Sequence, residues 1–425
     1  MESNSEEKRK AFIKSLLDKQ FARQVLNIEP IGKGNNNHVY CVSLDPSVSS
    51  DLPARPAKPG TIPLPTQTTE VIMRISNPDA KLNDAVRIEN EVAAIFLAKN
   101  ALSSYPSKIV PDVFGWDCDS SPVHQPESYS WIMEEFVTGE PLDKTFPSLS
   151  LMQKRSVLQQ LANIFKKIQS YEVPTSITMY GGLGFNFKGE VTSGPLTIPL
   201  GGPFTTYEDI YVQNFVTQLK NADNNKLING WKGDGGLRKR LENFHQSGAI
   251  VDLLGQLQNR RPTLVHGDLD LQNLLIDPTT LRITGLLDFD FSHIASSADE
   301  FFYSFPLIHG ILTGPFENPE QESLRLAQLN GFSGVGETPP ALGDSAIDWE
   351  VAKMWEEEMA SAGVQRPSDI KGIEELAALY WFLMDICPPY FEMQRWLARR
   401  TPEQLEKAKV NAESGLKKYL ERWGF

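Results

Sequence analysis

The chain has 425 residues, of which 40% are apolar and 10% aromatic, and its formal net charge is −13. This length exceeds one ordinary compact core and predicts two lobes, while the composition excludes a largely disordered or fibrous protein. The negative charge disfavours nucleic acid and anionic membranes as partners.

Three further features bound the class of protein. The polar first residues lack the apolar stretch of a secretory signal, and no run of about 18 apolar residues occurs, so we expect a cytoplasmic protein without a membrane span. The cysteines Cys41, Cys118 and Cys387 lie far apart. Their spacing predicts neither a disulfide framework nor a zinc site.

The first elements combine a helix with a glycine-rich hairpin. Apolar residues at helical spacing predict an amphipathic helix over Glu6–Val25. Two β-prone runs follow, Ile28–Ile31 and Val39–Val42, and Gly32-Lys33-Gly34-Asn35-Asn36-Asn37 separates them. Gly and Asn tolerate positive φ, so this segment predicts a turn between strands. The Pro- and Ser-rich residues 45–69 predict a surface insertion before the next strand.

The remaining elements predict an α+β fold. Val71–Ile75 and Tyr129–Val137 have the composition of strands, and Asp84–Leu97 that of a helix. We therefore expect a small β-rich lobe over residues 1–138 and a larger α-rich lobe over residues 139–425.

Helical periodicity dominates the second lobe. An inward helix face is predicted by the spacing of Leu158, Leu161, Phe165 and Ile168, whereas residues 172–206 predict an irregular flap or short hairpin. Thr401-Pro402-Glu403-Gln404 is typical of a helix start.

The most specific pattern lies in residues 264–273, where His266, Gly267, Asp268 and Asn273 form H-G-D-x-x-x-x-N. A hairpin is predicted next, with Leu274–Ile276 pairing with Leu281–Leu287. Counting its register places Asp288 opposite Leu269, so that Asp268, Asn273 and Asp288 converge.

These residue types suit phosphoryl transfer. A carboxylate such as Asp268 orients or deprotonates an acceptor hydroxyl. Asn273 and Asp288 offer the hard oxygen ligands that Mg²⁺ prefers, and Asp290 is a candidate second carboxylate beside them.

The catalytic loop at 264–273 and the metal loop at 286–290 resemble those of the aminoglycoside phosphotransferase and choline-kinase-like family. The resemblance implies a two-lobed, protein-kinase-like fold, with ATP and Mg²⁺ as cofactors. It also implies that backbone N–H groups at Gly32 and Gly34 cover the ATP phosphates. An alternative reading of each glycine is a plain turn.

Two further positions depart from the family or are weakly specific. The family carries a phosphate-binding Lys where this chain has Arg74, and Glu91, rather than Glu89, is the predicted partner; an exposed surface pair is the alternative. Met133-Glu134-Glu135-Phe136 resembles the family's hinge, which implies that the Glu134 carbonyl and the Phe136 N–H bind adenine. The alternative is a buried strand end.

The sequence thus predicts an ATP-dependent kinase that phosphorylates a hydroxyl of a small molecule, such as an amine-bearing alcohol or sugar. A catalytically silent nucleotide sensor or scaffold is the alternative from another class, and a protein kinase ranks below both. Asp299 has two alternative roles: support of the metal loop through hydrogen bonds, or the N-cap of a helix.

Overall fold

A computed structural model describes residues 2–33, 36–48, 57–80, 82–118, 129–198, 201–233, 235–316, 319–332 and 347–425. Its strands are β1 (Arg23–Lys33), β2 (Asn37–Val48), β3 (Glu70–Ser76), β4 (Val113–Asp117), β5 (Trp131–Glu135), β6 (Glu140–Pro141), β7 (Gly182–Phe185), β8 (Val191–Gly194), β9 (Thr263–Val265), β10 (Leu274–Asp277), β11 (Arg282–Leu286) and β12 (His293–Ala295). Its helices are α1 (Glu2–Phe21), α2 (Asp84–Ala101), α3 (Leu142–Thr145), α4 (Leu151–Ser170), α5 (Tyr207–Asn224), α6 (Leu237–Gln246), α7 (Ala249–Leu254), α8 (Pro319–Asn330), α9 (Trp349–Ala362), α10 (Ile373–Ile386), α11 (Gln394–Leu397) and α12 (Pro402–Arg422). The predicted α+β class is confirmed, with a β-sheet in the first part of the chain and mainly helices in the second.

The chain divides into two compact units, each assembled from several segments. Unit 1 comprises Met1–Gln160, Ser170–Pro203 and His266–Ile294, and unit 2 comprises Leu161–Gln169, Phe204–Val265 and Ala295–Phe425. The predicted catalytic residues and metal loop therefore belong to the same unit as the sheet. A lobe boundary at residues 138 and 139 stays a prediction.

Unit 1 contains a five-stranded antiparallel sheet in the order β1-β2-β3-β5-β4. On one face, Val71, Met73 and Ile75 of β3 pack in a core with Leu16 and Leu17 of α1. Because side chains alternate along a strand, Arg74 projects from the opposite face of the sheet.

The predicted first helix is wrong at its end. It ends at Phe21 rather than Val25, and the chain enters β1 through Ala22, whose φ is 53°. The buried side chain of Arg23 donates hydrogen bonds to the carbonyls of Asp45 (3.2 Å) and Pro65 (3.1 Å). These bonds fix Arg23 and the residues after it in the sheet.

The other predicted strands of the sheet are confirmed, with β5 shorter than expected at Trp131–Glu135. Sequence reasoning missed β4, whose five residues include a glycine and lack a clear alternation. Residues Glu140–Pro141 pair with β10, so the expected exit from the first lobe includes a short strand.

The helical predictions are confirmed in the second part of the chain. The four apolar residues predicted to face inward on α4 are all buried. α12 begins with the predicted capping box, in which the Thr401 side chain accepts from the Gln404 N–H and Pro402 is the first helical residue. The predicted short hairpin within 172–206 consists of β7 and β8. In the described part of the chain, no helix is both long and apolar enough to cross a membrane.

Candidate active site

The catalytic loop joins β9 to β10 and brings Asp268 and Asn273 together. The Asn273 Nδ2 atom donates to the Asp268 carbonyl oxygen (2.7 Å) and to its carboxylate Oδ2 (2.9 Å). Since both bonds use the amide nitrogen, the amide oxygen is the Asn273 atom suited to a cation. The loop therefore presents one carboxylate and one amide oxygen from a short segment.

The His266-Gly267 pair explains how this loop holds its shape. The buried His266 ring donates from Nε2 to the Leu287 carbonyl (3.2 Å) and accepts at Nδ1 from the Asp268 N–H (3.3 Å). Burial lowers the pKa of His266 to about 4, so the ring is neutral at pH 7, as these two bonds require. Gly267 has φ 79°, and a Cβ there would lie 2.7 Å from the Phe291 carbonyl oxygen.

The hairpin after the loop has a different register from the predicted one. Leu274 pairs with Leu286, and Ile276 pairs with Ile283, with a bulge between Leu275 and Ile276. The predicted alignment of Asp288 with Leu269 is therefore wrong, because the four-residue turn lies one position later than predicted and the bulge shifts the pairing further. The Leu287 N–H still donates to the Asn273 carbonyl (2.9 Å), which joins the metal loop to the catalytic loop.

Asp288 follows β11 in a left-handed conformation, with φ 62°. Aspartate tolerates this region better than most residues do. Its Oδ1 atom accepts from Arg74 Nη2 (2.9 Å), and its side chain is 43% exposed. The buried surroundings of Asp288 raise its pKa. The nearby Asp290 carboxylate also raises this pKa, whereas Arg74 lowers it.

Arg74 lies at the centre of a buried set of charges. Its Nη1 atom donates to Glu91 Oε1 of α2 and lies 3.5 Å from Glu134 Oε1 of β5. Glu89 instead accepts from the Phe185 N–H (2.8 Å). The exposed surface pair that was the alternative for Arg74 is thus wrong.

Sequence reasoning missed Arg87, which is fully buried on α2. It donates from Nη1 to Asp290 Oδ1 (2.6 Å) and from Nη2 to Ser76 Oγ (2.6 Å). A signal existed in the sequence, because residues four apart share a helix face and Arg87 precedes Glu91 by four.

We call these six side chains the Arg74 cluster: Arg74, Arg87, Glu91, Glu134, Asp288 and Asp290. Four carboxylates face two guanidinium groups. Burial raises the pKa of Glu91 and of Glu134, because the excess negative charge is costly there.

The Arg74 cluster fits a divalent cation. Glu91 Oε2 and Glu134 Oε1 are buried without a hydrogen-bond partner. Oxygen atoms of Glu91, Asp288 and Asp290 lie within 4.8 Å of one another. A cation of charge two would neutralise the excess charge, and oxygen donors of this kind suit Mg²⁺.

Of the predicted nucleotide-binding residues, Gly32 and Glu134 lie on strands of the sheet. Gly32 is near the end of β1, where an added Cβ would meet no heavy atom within 4 Å, and Gly34 lies outside the described residues. Glu134 belongs to β5 and Phe136 follows its end. The structure brings the Glu134 side chain, rather than only its backbone, to Arg74.

The family model of the phosphotransferase enzyme family, APH, matches residues 27–343. The chain belongs to this family. The matched range includes the glycine loop, Arg74, the catalytic loop and the metal loop. Membership agrees with the protein-kinase-like fold that the catalytic loop predicts. The family also makes the chain a phosphotransferase of the small-molecule kinase type.

Other comparisons are more distant. The streptomycin–ATP ternary complex of APH(2")-IIa is 13% identical, with a TM-score of 0.47 over 97% of this chain and 96% of that one. ADP-bound APH(2'')-Ib is 14% identical, with a TM-score of 0.44 over 97% and 98%. The ethanolamine kinase of Plasmodium vivax is 12% identical, with a TM-score of 0.42 over 92% and 81%. No curated protein matches the chain.

Proposed function

We propose that this phosphotransferase moves the γ-phosphoryl group of ATP to a hydroxyl of a small molecule. The observation that carries the proposal is the hydrogen bond from Asn273 Nδ2 to the Asp268 carboxylate, in a loop that the Leu287 N–H joins to the metal loop. This bond joins Asp268, the carboxylate proposed to act on the acceptor, to Asn273, a proposed oxygen ligand of Mg²⁺.

Asp268 orients the acceptor hydroxyl and accepts its proton as the oxygen attacks the phosphorus. The two hydrogen bonds from Asn273 hold the residue at its backbone and at its side chain. A carboxylate fixed in this way needs little reorganisation when the acceptor binds. The neutral His266 maintains the loop and takes no proton.

Asp288 and the Asn273 amide oxygen are the proposed ligands of Mg²⁺. When bound, the ion supplies positive charge that stabilises the phosphate oxygens of the nucleotide. The excess negative charge of the Arg74 cluster supports this assignment, and so does the exposure of Asp288.

Arg74 is the proposed phosphate-binding residue in place of the family's lysine. Its planar guanidinium contacts Glu91 through one terminal nitrogen and Asp288 through the other. A lysine ammonium is a single point charge and would not reproduce this two-sided contact. Arg74 therefore suits a site in which cation and phosphate bind between carboxylates.

For the nucleotide, we propose that Gly32 and Gly34 offer backbone N–H groups to the phosphates. The Glu134 carbonyl and the Phe136 N–H would bind adenine at the end of β5. For the acceptor, the net charge of −13 supports an amine-bearing alcohol or sugar. The cytoplasmic location stays an expectation from composition.

A silent nucleotide sensor or scaffold is the second candidate, favoured by Arg74 and by the insertion at 45–69. Asp268, Asn273 and Asp288 disfavour it, because a sensor has no need of an acceptor-directed carboxylate. A protein kinase is disfavoured by the H-G-D loop and by Asp288-Phe289-Asp290 in place of D-F-G.

The test is ATP consumption with and without Mg²⁺ across a panel of amino alcohols, aminoglycosides and sugars. We expect acceptor-stimulated turnover that needs Mg²⁺ and that Asp268→Ala abolishes. Tight nucleotide binding with no turnover on any acceptor would instead support the sensor. Equal turnover in Asp268→Ala would overturn the proposed mechanism.

A further inference from the structure

Asp290 receives hydrogen bonds from three different side chains in unit 1. Its Oδ1 atom accepts from Arg87 Nη1 (2.6 Å), and its Oδ2 atom accepts from Asn36 Nδ2 and Asn37 Nδ2, each at 3.2 Å. Both carboxylate oxygens are therefore occupied by protein donors. Its side chain is only 1% exposed.

Asp288, two residues earlier, has the opposite environment. Its side chain is 43% exposed, and its hydrogen bond comes from Arg74. An exposed carboxylate with one donor can bind a cation, whereas a buried one with three donors would have to break protein hydrogen bonds to do so. The two carboxylates of the metal loop thus have different roles.

The partners of Asp290 come from separate elements. Arg87 lies on α2, whereas Asn37 is the first residue of β2 and Asn36 immediately precedes it, at the end of the glycine-rich segment. The Asn36 carbonyl also accepts from the Asn77 N–H (2.9 Å), which fixes the start of β2 next to the end of β3. Asp290 therefore connects the metal loop to α2 and to the segment that follows Gly32.

The charge of Asp290 alone does not explain this arrangement. Arg87 already supplies a buried counter-charge, which is what burial of one carboxylate requires. The two asparagines add no charge, but they constrain the geometry, because both amides must be placed so that their Nδ2 atoms reach Asp290 Oδ2. This selects one position of the β2 start relative to the metal loop.

We propose that Asp290 is a positioning residue that fixes the glycine loop relative to the metal-binding Asp288 through Asn36 and Asn37. This inference rests on the proposed function, since it assumes that the loop contacts nucleotide phosphates. Arg87 holds Asp290 in place from the side of α2. Neither asparagine needs to touch the nucleotide.

The experiment compares the Asn36→Ala/Asn37→Ala double variant with wild type. Kd is measured for a non-hydrolysable ATP analogue with Mg²⁺ and, separately, for adenosine. We expect roughly tenfold weaker binding of the ATP analogue, the scale of losing one or two hydrogen bonds to a charged group. Adenosine binding should be unchanged, because adenosine lacks the phosphates on which the loop acts.

Asn27→Ala is the matched control, since Asn27 lies on β1 and donates to the exposed Glu29 (2.7 Å) rather than to the metal loop. It should leave both constants unchanged. If the double variant does not fold, Asn36→Ala alone is the substitute, because Asn36 is less buried than Asn37; we expect about threefold weaker binding of the analogue.

Three outcomes overturn the inference: unchanged binding of the analogue, equal weakening of adenosine binding, or the same weakening in Asn27→Ala. Failure of wild type to bind the analogue at all would overturn the proposed function instead. The two failures are therefore distinguishable in one set of titrations.

Discussion

Two acidic sites in this protein differ in how the charge of their carboxylates is balanced. In unit 1, the Arg74 cluster places four carboxylates around two guanidinium groups, and two of its oxygens have no hydrogen-bond partner. In unit 2, Asp299 accepts hydrogen bonds from the hydroxyls of Tyr207 and Tyr211, each at 2.6 Å. We call these three residues the Asp299 cluster.

This difference suggests that the Arg74 cluster serves ligand binding and that the Asp299 cluster serves the stability of the fold. Asp299 accepts hydrogen bonds from two neutral hydroxyls. Burial of the tyrosines and the negative charge of Asp299 raise the pKa of both tyrosines well above their usual range. They stay protonated and keep donating. The Arg74 cluster instead has more carboxylates than guanidinium groups, and a bound cation would neutralise the excess. We therefore expect substitutions in the first cluster to remove activity and those in the second to remove stability.

The largest expected effect is on the activity of Asp288→Asn. Asparagine tolerates the left-handed backbone but lacks the negative charge with which Asp288 would hold Mg²⁺, so turnover should fall by about 10³-fold or more. The free energy of unfolding without Mg²⁺ should change little, because the side chain is 43% exposed and an asparagine oxygen can still accept from Arg74. Steady-state kinetics and denaturant unfolding check this. A variant that is active but unstable would reverse the comparison.

Next in size is Asp299→Ala. It removes the carboxylate to which two buried tyrosine hydroxyls donate, although Tyr207 can still donate to the Tyr211 hydroxyl (3.1 Å). The loss of two hydrogen bonds to a charged group should lower the free energy of unfolding by about 3 kcal/mol. Turnover of the folded fraction should stay within about threefold of wild type, since the cluster takes no part in the proposed chemistry. Urea unfolding and kinetics below the unfolding transition are the measurements. Loss of activity in a stable variant would assign Asp299 to the site.

Another buried carboxylate, Glu356 of α9, predicts a pH dependence of stability. Burial raises its pKa from 4.5 to about 7, although Arg366 pairs with it at 3.0 Å. The folded state thus holds the proton more tightly than the unfolded state. This contribution to stability is present at low pH and is lost as pH rises through about 7.

From about pH 5 to about pH 7, the free energy of unfolding of wild type should fall by about 2 kcal/mol relative to Glu356→Gln. Urea unfolding across this range measures the difference. Glu350, on the same helix and exposed, supplies the control variant Glu350→Gln, for which no such difference is expected. A flat difference for Glu356→Gln would contradict the assignment.

The smallest expected effect is that of Arg74→Lys. Lysine keeps the charge but replaces two terminal nitrogens by one, so it cannot contact Glu91 and Asp288 as Arg74 does. Nucleotide affinity should weaken about tenfold, with Arg74→Met weaker still. Titration with an ATP analogue and Mg²⁺ measures both. Tighter binding by the lysine variant would contradict the proposal that the contacts of Arg74 with Glu91 and Asp288 favour nucleotide binding.

Sequence reasoning predicted the parts of the site that short segments determine. Asp268 and Asn273 are five residues apart, and the loop geometry that joins them depends on its own His266 and Gly267. The strand carrying Arg74 was equally predictable, because Val71-Ile72-Met73 is a short apolar run of strand-forming residues bounded by polar residues. These are local patterns, and the structure forms them locally.

Contacts between distant segments were not predictable in the same way. The hairpin register was wrong because simple counting cannot detect a bulge or a turn displaced by one residue. Arg87 was missed because its partner Asp290 lies 203 residues away. The N-cap that was one alternative for Asp299 is wrong: Ser296 caps the 3-10 helix Ser297–Phe302, and the Asp299 carboxylate accepts from Tyr207 of α5.

The most direct test of the central claim is a single-turnover measurement on Asp268→Asn. Transfer from γ-labelled ATP to an acceptor and the Kd for nucleotide with Mg²⁺ are determined on the same preparation. We predict a Kd within about twofold of wild type and transfer slowed by about 10³-fold or more, because Asp268 acts on the acceptor and not on the nucleotide. Transfer at the wild-type rate would contradict the assignment of Asp268 and the mechanism built on it.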